Sequence, residues 1–202
     1  QNNGDGTFAN VTHAAGIGGT GSAVAVAAAD LDNDAAIDVT IARDNEPTLL
    51  FRNRRAGRFE REAEPPGPWP GARHVLLDDV DNDGIVDAVL VRPGRAELLT
   101  RQGARRQLLE MADYEPAAAA LIDVDNDAWL DLLVIGVRMD DRTQRRVFLW
   151  HNRRGIRWRD VTEESGLSRI SSSAAHEIVA ADVDSDGDTD VMLVGGNGIQ
   201  FL

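Results

Sequence analysis

The chain has 202 residues and a formal charge of −13, with 34 acidic side chains against 21 basic ones and no cysteine. It is long enough for a sizeable core, as one domain or part of a larger one, and it can hold neither a disulfide framework nor a thiolate metal site. The basic residues are all arginine and are scattered, which argues against a nucleic-acid partner. The apolar runs at 23–29 and 117–122 are too short and alanine-rich to span a bilayer, so no membrane insertion is expected.

In chain order, Gln1 opens directly on Asn-Asn-Gly-Asp-Gly with no signal segment, so the sequence reads as a mature or excised piece. A first landmark follows, an amide with an apolar residue six positions later: Asn2 and Phe8, then Asn53 and Phe59, Gln102 and Leu108, Asn152 and Trp158. Between landmarks lie short apolar or alternating runs bounded by Gly, Pro and Asn, which predict strands rather than helices. The first run of each unit (24–29, 75–77, 118–122, 178–181) enters an acidic loop, and the second (39–41, 88–91, 132–135, 191–194) leaves it at once. The third (49–51, 98–99, 147–150, 199–202) precedes the amide, and a fourth begins at the Phe or Trp position. Four repeats result, at about 2–52, 53–101, 102–151 and 152–202.

The acidic loop is the second landmark and carries the chemistry. Asp30, Asp32, Asp34 and Asp38 stand at positions one, three, five and nine of a nine-residue segment. Asp79, Asp81, Asp83 and Asp87 repeat the pattern, as do Asp123, Asp125, Asp127 and Asp131, and then Asp182, Asp184, Asp186 and Asp190. Like charges at this density repel unless a cation sits among them, and hard oxygen ligands at alternate positions suit Ca²⁺. Sixteen of the 34 acidic residues lie in these loops, so four Ca²⁺ would bring the charge from −13 to −5. An EF-hand requires Glu at position twelve and flanking helices; here that position is Ile41, Leu90, Val134 and Leu193, each inside a predicted strand. The competing reading is that some of these aspartates only cap turns.

Units of four short strands repeated in this way predict an all-β protein of propeller blades. The loop pattern Asp-x-Asp-x-Asp-Gly-x-x-Asp between apolar strands, with Asn-Asn-Gly-Asp-Gly-Thr-Phe and Val-Thr…Ala-Gly-Ile between copies, resembles the FG-GAP/VCBS repeat. It is similar to the calcium-binding blades of integrin alpha-subunit propellers and to bacterial proteins of the ASPIC/UnbV type. The resemblance implies four four-stranded blades forming an arc of a larger, about seven-bladed propeller. The alternative is a closed four-bladed ring in which residues 7–12 pair with 199–202. It further implies that the backbone carbonyls of position seven (Ala36, Ile85, Trp129 and Asp188) join the four carboxylates as ligands. Position six should be Gly to allow positive φ, as at Gly84 and Gly187; Ala35 and Ala128 replace it and predict weaker calcium sites in the first and third loops.

The function expected is that of an exported calcium-binding scaffold, extracellular, periplasmic or at the cell surface, for a protein or cell-surface ligand. The alternative is a glycan-binding, lectin-like propeller or an accessory to a polysaccharide-acting enzyme. No enzyme is expected in the chain itself: His13, His74, His151 and His176 form no paired motif, and the dense Asp clusters are explained as metal ligation. Trp69, in the proline-rich segment 60–74, could stack on a sugar but is expected to plug its own loop.

Overall fold

The structure is a computed structural model that describes residues 1–19, 21–44, 46–63, 71–99, 105–155, 157–170, 175–196 and 198–202. The predicted positions Trp69 and Gln102 lie outside the described residues.

Among the described residues fifteen strands form four antiparallel meanders. The first sheet holds β1 (Ala23–Ala29), β2 (Asp38–Arg43), β3 (Glu46–Asn53) and β4 (Phe59–Arg61); the second holds β5 (His74–Asp78), β6 (Asp87–Arg92), β7 (Arg95–Leu99) and β8 (Arg105–Glu110). The third contains β9 (Tyr114–Ile122), β10 (Asp131–Arg138), β11 (Arg145–Arg153) and β12 (Arg157–Asp160). The fourth has three strands, β13 (Ala175–Ala181), β14 (Asp190–Gly195) and β15 (Gly198–Phe201). Each complete sheet thus takes three strands from one sequence repeat and its fourth from the next.

The sheets stack face to face in chain order, and the period of two decides which residues meet. Leu132 and Val134 of β10 face the second sheet, joining Val89, Val91, Leu98 and Met111 in one core with Phe148, Trp150 and Trp158. Leu133 and Ile135, one residue out of phase, face the fourth sheet with Ala175 and Leu193. A continuous apolar run is what a strand buried on both faces requires. The core between the first two sheets is built from smaller side chains: Ala25, Ala27 and Ala42 against Val75, Ala88 and Leu90. The first strands of successive sheets lie against one another, β1 on β5, β5 on β9 and β9 on β13, with small alanine side chains on β1, β9 and β13 but none on β5. Half-buried His74 on β5 is held below the ordinary imidazole value by burial, opposed by hydrogen bonds to the Pro116 and Ala117 carbonyls of β9.

Two expectations change. Residues 7–12 do not pair with 199–202: Phe8 bridges Asn2 in a small hairpin closed by Asn3 N to Thr7 O (3.0 Å) and Ala9 N to Gln1 O (2.8 Å). Among the described residues β15 pairs only with β14. Behind the hairpin, the helical turn α1 (Thr12–Ala15) ends at Gly16, with φ +76°, where a Cβ would stand 2.6 Å from the Phe59 carbonyl oxygen. The segment therefore docks on β4 rather than supplying a strand. The matching stretch at 160–165 turns in the same way: Asp160 Oδ1 accepts from Thr162 N at 2.9 Å, as Asn10 Oδ1 does from Thr12 N at 3.1 Å. The outer faces of the end sheets carry exposed apolar side chains, Val26 on β1 at 68 % and Ile199 and Phe201 on β15 at 66 % and 56 %.

Candidate metal centres

Each acidic loop joins the first two strands of a sheet, so all four occupy one equivalent place in the repeat. The fold of the loop follows from its own carboxylates. At position one, Asp30, Asp79, Asp123 and Asp182 accept the backbone N–H of positions five and six on separate oxygens, at 2.7–3.1 Å. At position five, Asp34, Asp83, Asp127 and Asp186 accept the N–H of position seven (Ala36, Ile85, Trp129 and Asp188) at 2.8–3.0 Å. The chain passes twice through the left-handed region to do this. Position four is Asn33, Asn82, Asn126 or Ser185, at φ 52–65°. Position six is Ala35 at φ 63°, Ala128 at φ 68°, Gly84 at φ 82° or Gly187 at φ 95°. The two alanines adopt the conformation that glycine takes without strain.

Position nine starts the second strand and is buried in three loops: Asp38, Asp87 and Asp131 are 1 %, 2 % and 0 % exposed. Carboxylate oxygens converge to within 4.8 Å of one another in every loop, but not always from the same positions. In the second, third and fourth loops the converging trio is positions one, three and nine: Asp79, Asp81 and Asp87; Asp123, Asp125 and Asp131; Asp182, Asp184 and Asp190. In the first loop it is Asp30, Asp32 and Asp34. There Asp38 is engaged otherwise, its Oδ2 accepting from Arg52 Nη1 at 2.8 Å and its Oδ1 from Asn53 N at 2.8 Å.

The landmark amides gain a role. Asn152, fully buried, donates from Nδ2 to the carbonyls of Leu130 (3.0 Å) and Val80 (2.8 Å), accepts from Gly155 N (2.8 Å), and gives its own N–H to Asp131 Oδ1 (2.6 Å). Asn53 does the same within the first sheet, donating to Ile37 O at 3.0 Å and accepting from Arg55 N at 2.9 Å. The amide thus clamps positions eight and nine of its own loop.

Sequence reasoning missed the residue just before each amide. Arg52 stands 3.7 Å from Asp32 Oδ2 in addition to its bond with Asp38, and its Nε holds Glu62 at 2.7 Å. Burial opposes its charge, but hydrogen bonds to Asp38 and Glu62 outweigh that and keep the guanidinium above its usual value. His151 holds the equivalent place in the third sheet, its Nε2 at 3.1 Å from Asp125 Oδ2 and 3.7 Å from Asp127 Oδ2. The signal was present in sequence, since Arg52, Arg101 and His151 each immediately precede an amide landmark; Arg101 lies outside the described residues. His13, on α1, and His176, on β13, belong to none of the acidic clusters.

The donor set is composed of oxygen and suits a hard divalent cation. Asp32 Oδ1 is shielded from solvent and receives no hydrogen bond among the described residues, as expected of an atom reserved for an ion. Asp131 is raised to about 6 by burial, against the opposing pull of hydrogen bonds from Asn152 and Val124 and the nearby His151. Without a cation, this site holds its charge at a cost.

Sheets stacked in series, each with an acidic hairpin loop in the same place, define a β-propeller-like repeat protein. Residues 123–193, which contain the third and fourth loops, match the family model described as an FG-GAP-like repeat, in agreement with the resemblance read from sequence. Among solved structures the chain is similar to an Agrocybe aegerita lectin known for specific recognition of non-reducing terminal N-acetylglucosamine, with TM-score 0.56 and 19 % identity. The match covers 100 % of this chain and 56 % of the lectin chain, so it spans little more than half of that protein, and the likeness is one of fold. No curated protein matches.

Proposed function

We propose that the chain is a calcium-stabilised interaction module, four blades of a larger propeller of about seven, exported to where calcium is plentiful, and without chemistry of its own. The observation that carries this reading is the fourfold convergence of acidic side chains to within 4.8 Å, in phase with the sheets. In each loop the carboxylates of positions one, three, five and nine, with the carbonyls of Ala36, Ile85, Trp129 and Asp188, would hold the ion. The ion would neutralise the loop and tie the first two strands together. Because metal bound to the native state alone stabilises by mass action, a loop at a hundredfold excess over Kd gains about 2.7 kcal/mol. Exposed apolar side chains on both end sheets support an arc whose outer faces meet further blades.

The partner we favour is a protein or cell-surface ligand. The similarity to a lectin favours a second reading, a glycan ligand. Against it, Trp150 and Trp158 are buried in the core between sheets and Trp150 stacks on Phe148 with centroids 5.5 Å apart. They offer no repeated aromatic platform for a sugar. A glycan-array screen separates the two.

The calcium reading is tested by thermal melts with calcium and with EDTA, on the wild type and on Asp83→Asn. Asparagine keeps the Oδ1 acceptor that Ile85 N uses at 2.9 Å and removes the charge. The expected result is a wild-type Tm several degrees higher in calcium, a smaller calcium increment in the variant, and similar metal-free values. A wild-type Tm indifferent to EDTA, or a variant with the full increment, would show that these aspartates only cap turns.

A further inference from the structure

Successive acidic loops are joined by side-chain amides that follow one rule. Position four of each of the first three loops donates from Nδ2 to the backbone carbonyl of position six in the next loop. Asn33 reaches Gly84 O at 3.1 Å, Asn82 reaches Ala128 O at 3.1 Å, and Asn126 reaches Gly187 O at 3.2 Å. Asn126 also donates to Asp188 Oδ1 at 2.6 Å. The partners are 51, 46 and 61 residues apart, so this is a tertiary ladder and not a local turn. A further bond runs the other way from β11 of the third sheet to the second loop, from Asn152 Nδ2 to Val80 O at 2.8 Å.

The placement of both ends matters. The donor sits between positions three and five, which supply carboxylates to its own loop, and is held at positive φ by the loop's closure. The acceptor sits at position six, whose N–H is itself bound by the carboxylate of position one. Each link therefore runs from the acidic turn of one loop to the backbone hinge of the next. We infer that Asn33, Asn82 and Asn126 are positioning residues that make the four loops fill cooperatively. Order imposed on one loop fixes the amide that restrains the next, so the second ion meets a loop whose ordering is already in place. The inference rests on the calcium reading above and goes beyond it: independent loops could bind calcium equally well.

The test uses the full chain, calcium alone as the probe, and the double variant Asn82→Gly/Asn126→Gly. Glycine keeps the left-handed backbone at φ 52° and 57° and deletes only the amide. Ser185→Gly is the control, because Ser185 lies at the same loop position and makes no bond to a neighbouring loop among the described residues. Calorimetric calcium titrations and melts in EDTA are recorded for all three proteins. The wild type is expected to bind with a Hill coefficient clearly above one. In the double variant it falls towards one, and the midpoint weakens by about fivefold, the lower end of common site-to-site couplings. The Ser185 variant retains wild-type cooperativity. Failure of the wild type to take up calcium defeats the underlying reading itself. Uptake with the same Hill coefficient in wild type and double variant overturns the ladder, as does a double variant whose Tm drops equally in EDTA and in calcium with cooperativity intact, because the amides would then only hold sheets together.

Discussion

Asn152→Ala isolates the clamp on the third loop. The side chain has no solvent exposure and makes three hydrogen bonds, to Val80 O (2.8 Å), to Leu130 O (3.0 Å) and from Gly155 N (2.8 Å). Alanine leaves two carbonyls and one N–H facing protein instead of water. A buried group stripped of its partner costs about 1–3 kcal/mol, and neighbouring losses do not add fully, so about 3–5 kcal/mol is expected in total. Asn53→Ala is the internal comparison, because its two bonds, to Ile37 O and from Arg55 N, lie at the surface where water can replace them; about 1 kcal/mol is expected there. For a chain of this size each kcal/mol moves Tm by about 2–4 °C, so roughly 10 °C should separate wild type from Asn152→Ala. Melts and urea titrations are run in EDTA so that metal affinity does not enter. If the two variants differ from wild type by the same few degrees, the argument that burial turns this amide into a clamp is wrong.

Gly155→Ala should cost about 2–4 kcal/mol, since φ is +68° and the new Cβ would lie 2.6 Å from Asp81 Cβ and 2.7 Å from its Cα. Gly57→Ala, at φ +72° with open space around it, should cost only about 1 kcal/mol by the same urea assay. Ala35→Gly and Ala128→Gly relieve backbone held at φ 63° and 68° and should each stabilise by up to about 1 kcal/mol while tightening calcium binding in that loop; an unchanged Tm and calcium midpoint would refute strain. Stability in EDTA should fall as pH rises from about 4 to 6, because the native Asp131 carboxyl, raised to about 6 from 3.8, holds a proton that the unfolded chain has released. Asp131→Asn should flatten that slope in pH-dependent urea melts, and calcium should oppose it by favouring the ionised carboxylate.

The strands and loops were legible because they are written in local pattern. The switch from apolar runs to carboxylates at alternate positions marks every first hairpin, and the structure places the loop at each of the four sites. The two-sided burial of β10 was equally readable from the unbroken Leu132–Ile135 run. What could not be read is contact between repeats. Nothing in Asn82 alone says that its amide meets Ala128 O, because that bond exists only when two sheets stack in register. The N-terminal landmark misled for a related reason: Asn2 and Phe8 carry the spacing of a fourth strand, but Phe8 bridges Asn2 in a small hairpin instead of joining a sheet, a choice that spacing alone does not reveal.

Capping and metal binding are usually treated as rival explanations of a repeated Asp loop, and the hydrogen bonds here show why they need not be. The position-one carboxylate uses both oxygens to close the loop on its own backbone, at 3.0 and 2.7 Å in the second copy. That closure sets positions three and nine beside it, and it is these that converge with it. A loop that needed the ion in order to fold would have no reason to satisfy its own N–H groups first. One that only capped a turn would have no reason to bury Asp87 and Asp131 at positions where the turn is already complete. The arrangement supports a prefolded cradle whose residual charge is the quantity a cation would relieve. Where the chain supplies part of that charge itself, as through Arg52 at 2.8 Å from Asp38, the demand for an external cation is expected to be correspondingly smaller. The first loop, which combines such a basic neighbour with alanine at position six, is therefore expected to show the weakest calcium midpoint of the series, and the third, with Ala128 at φ 68°, a midpoint weaker than the glycine-bearing second and fourth.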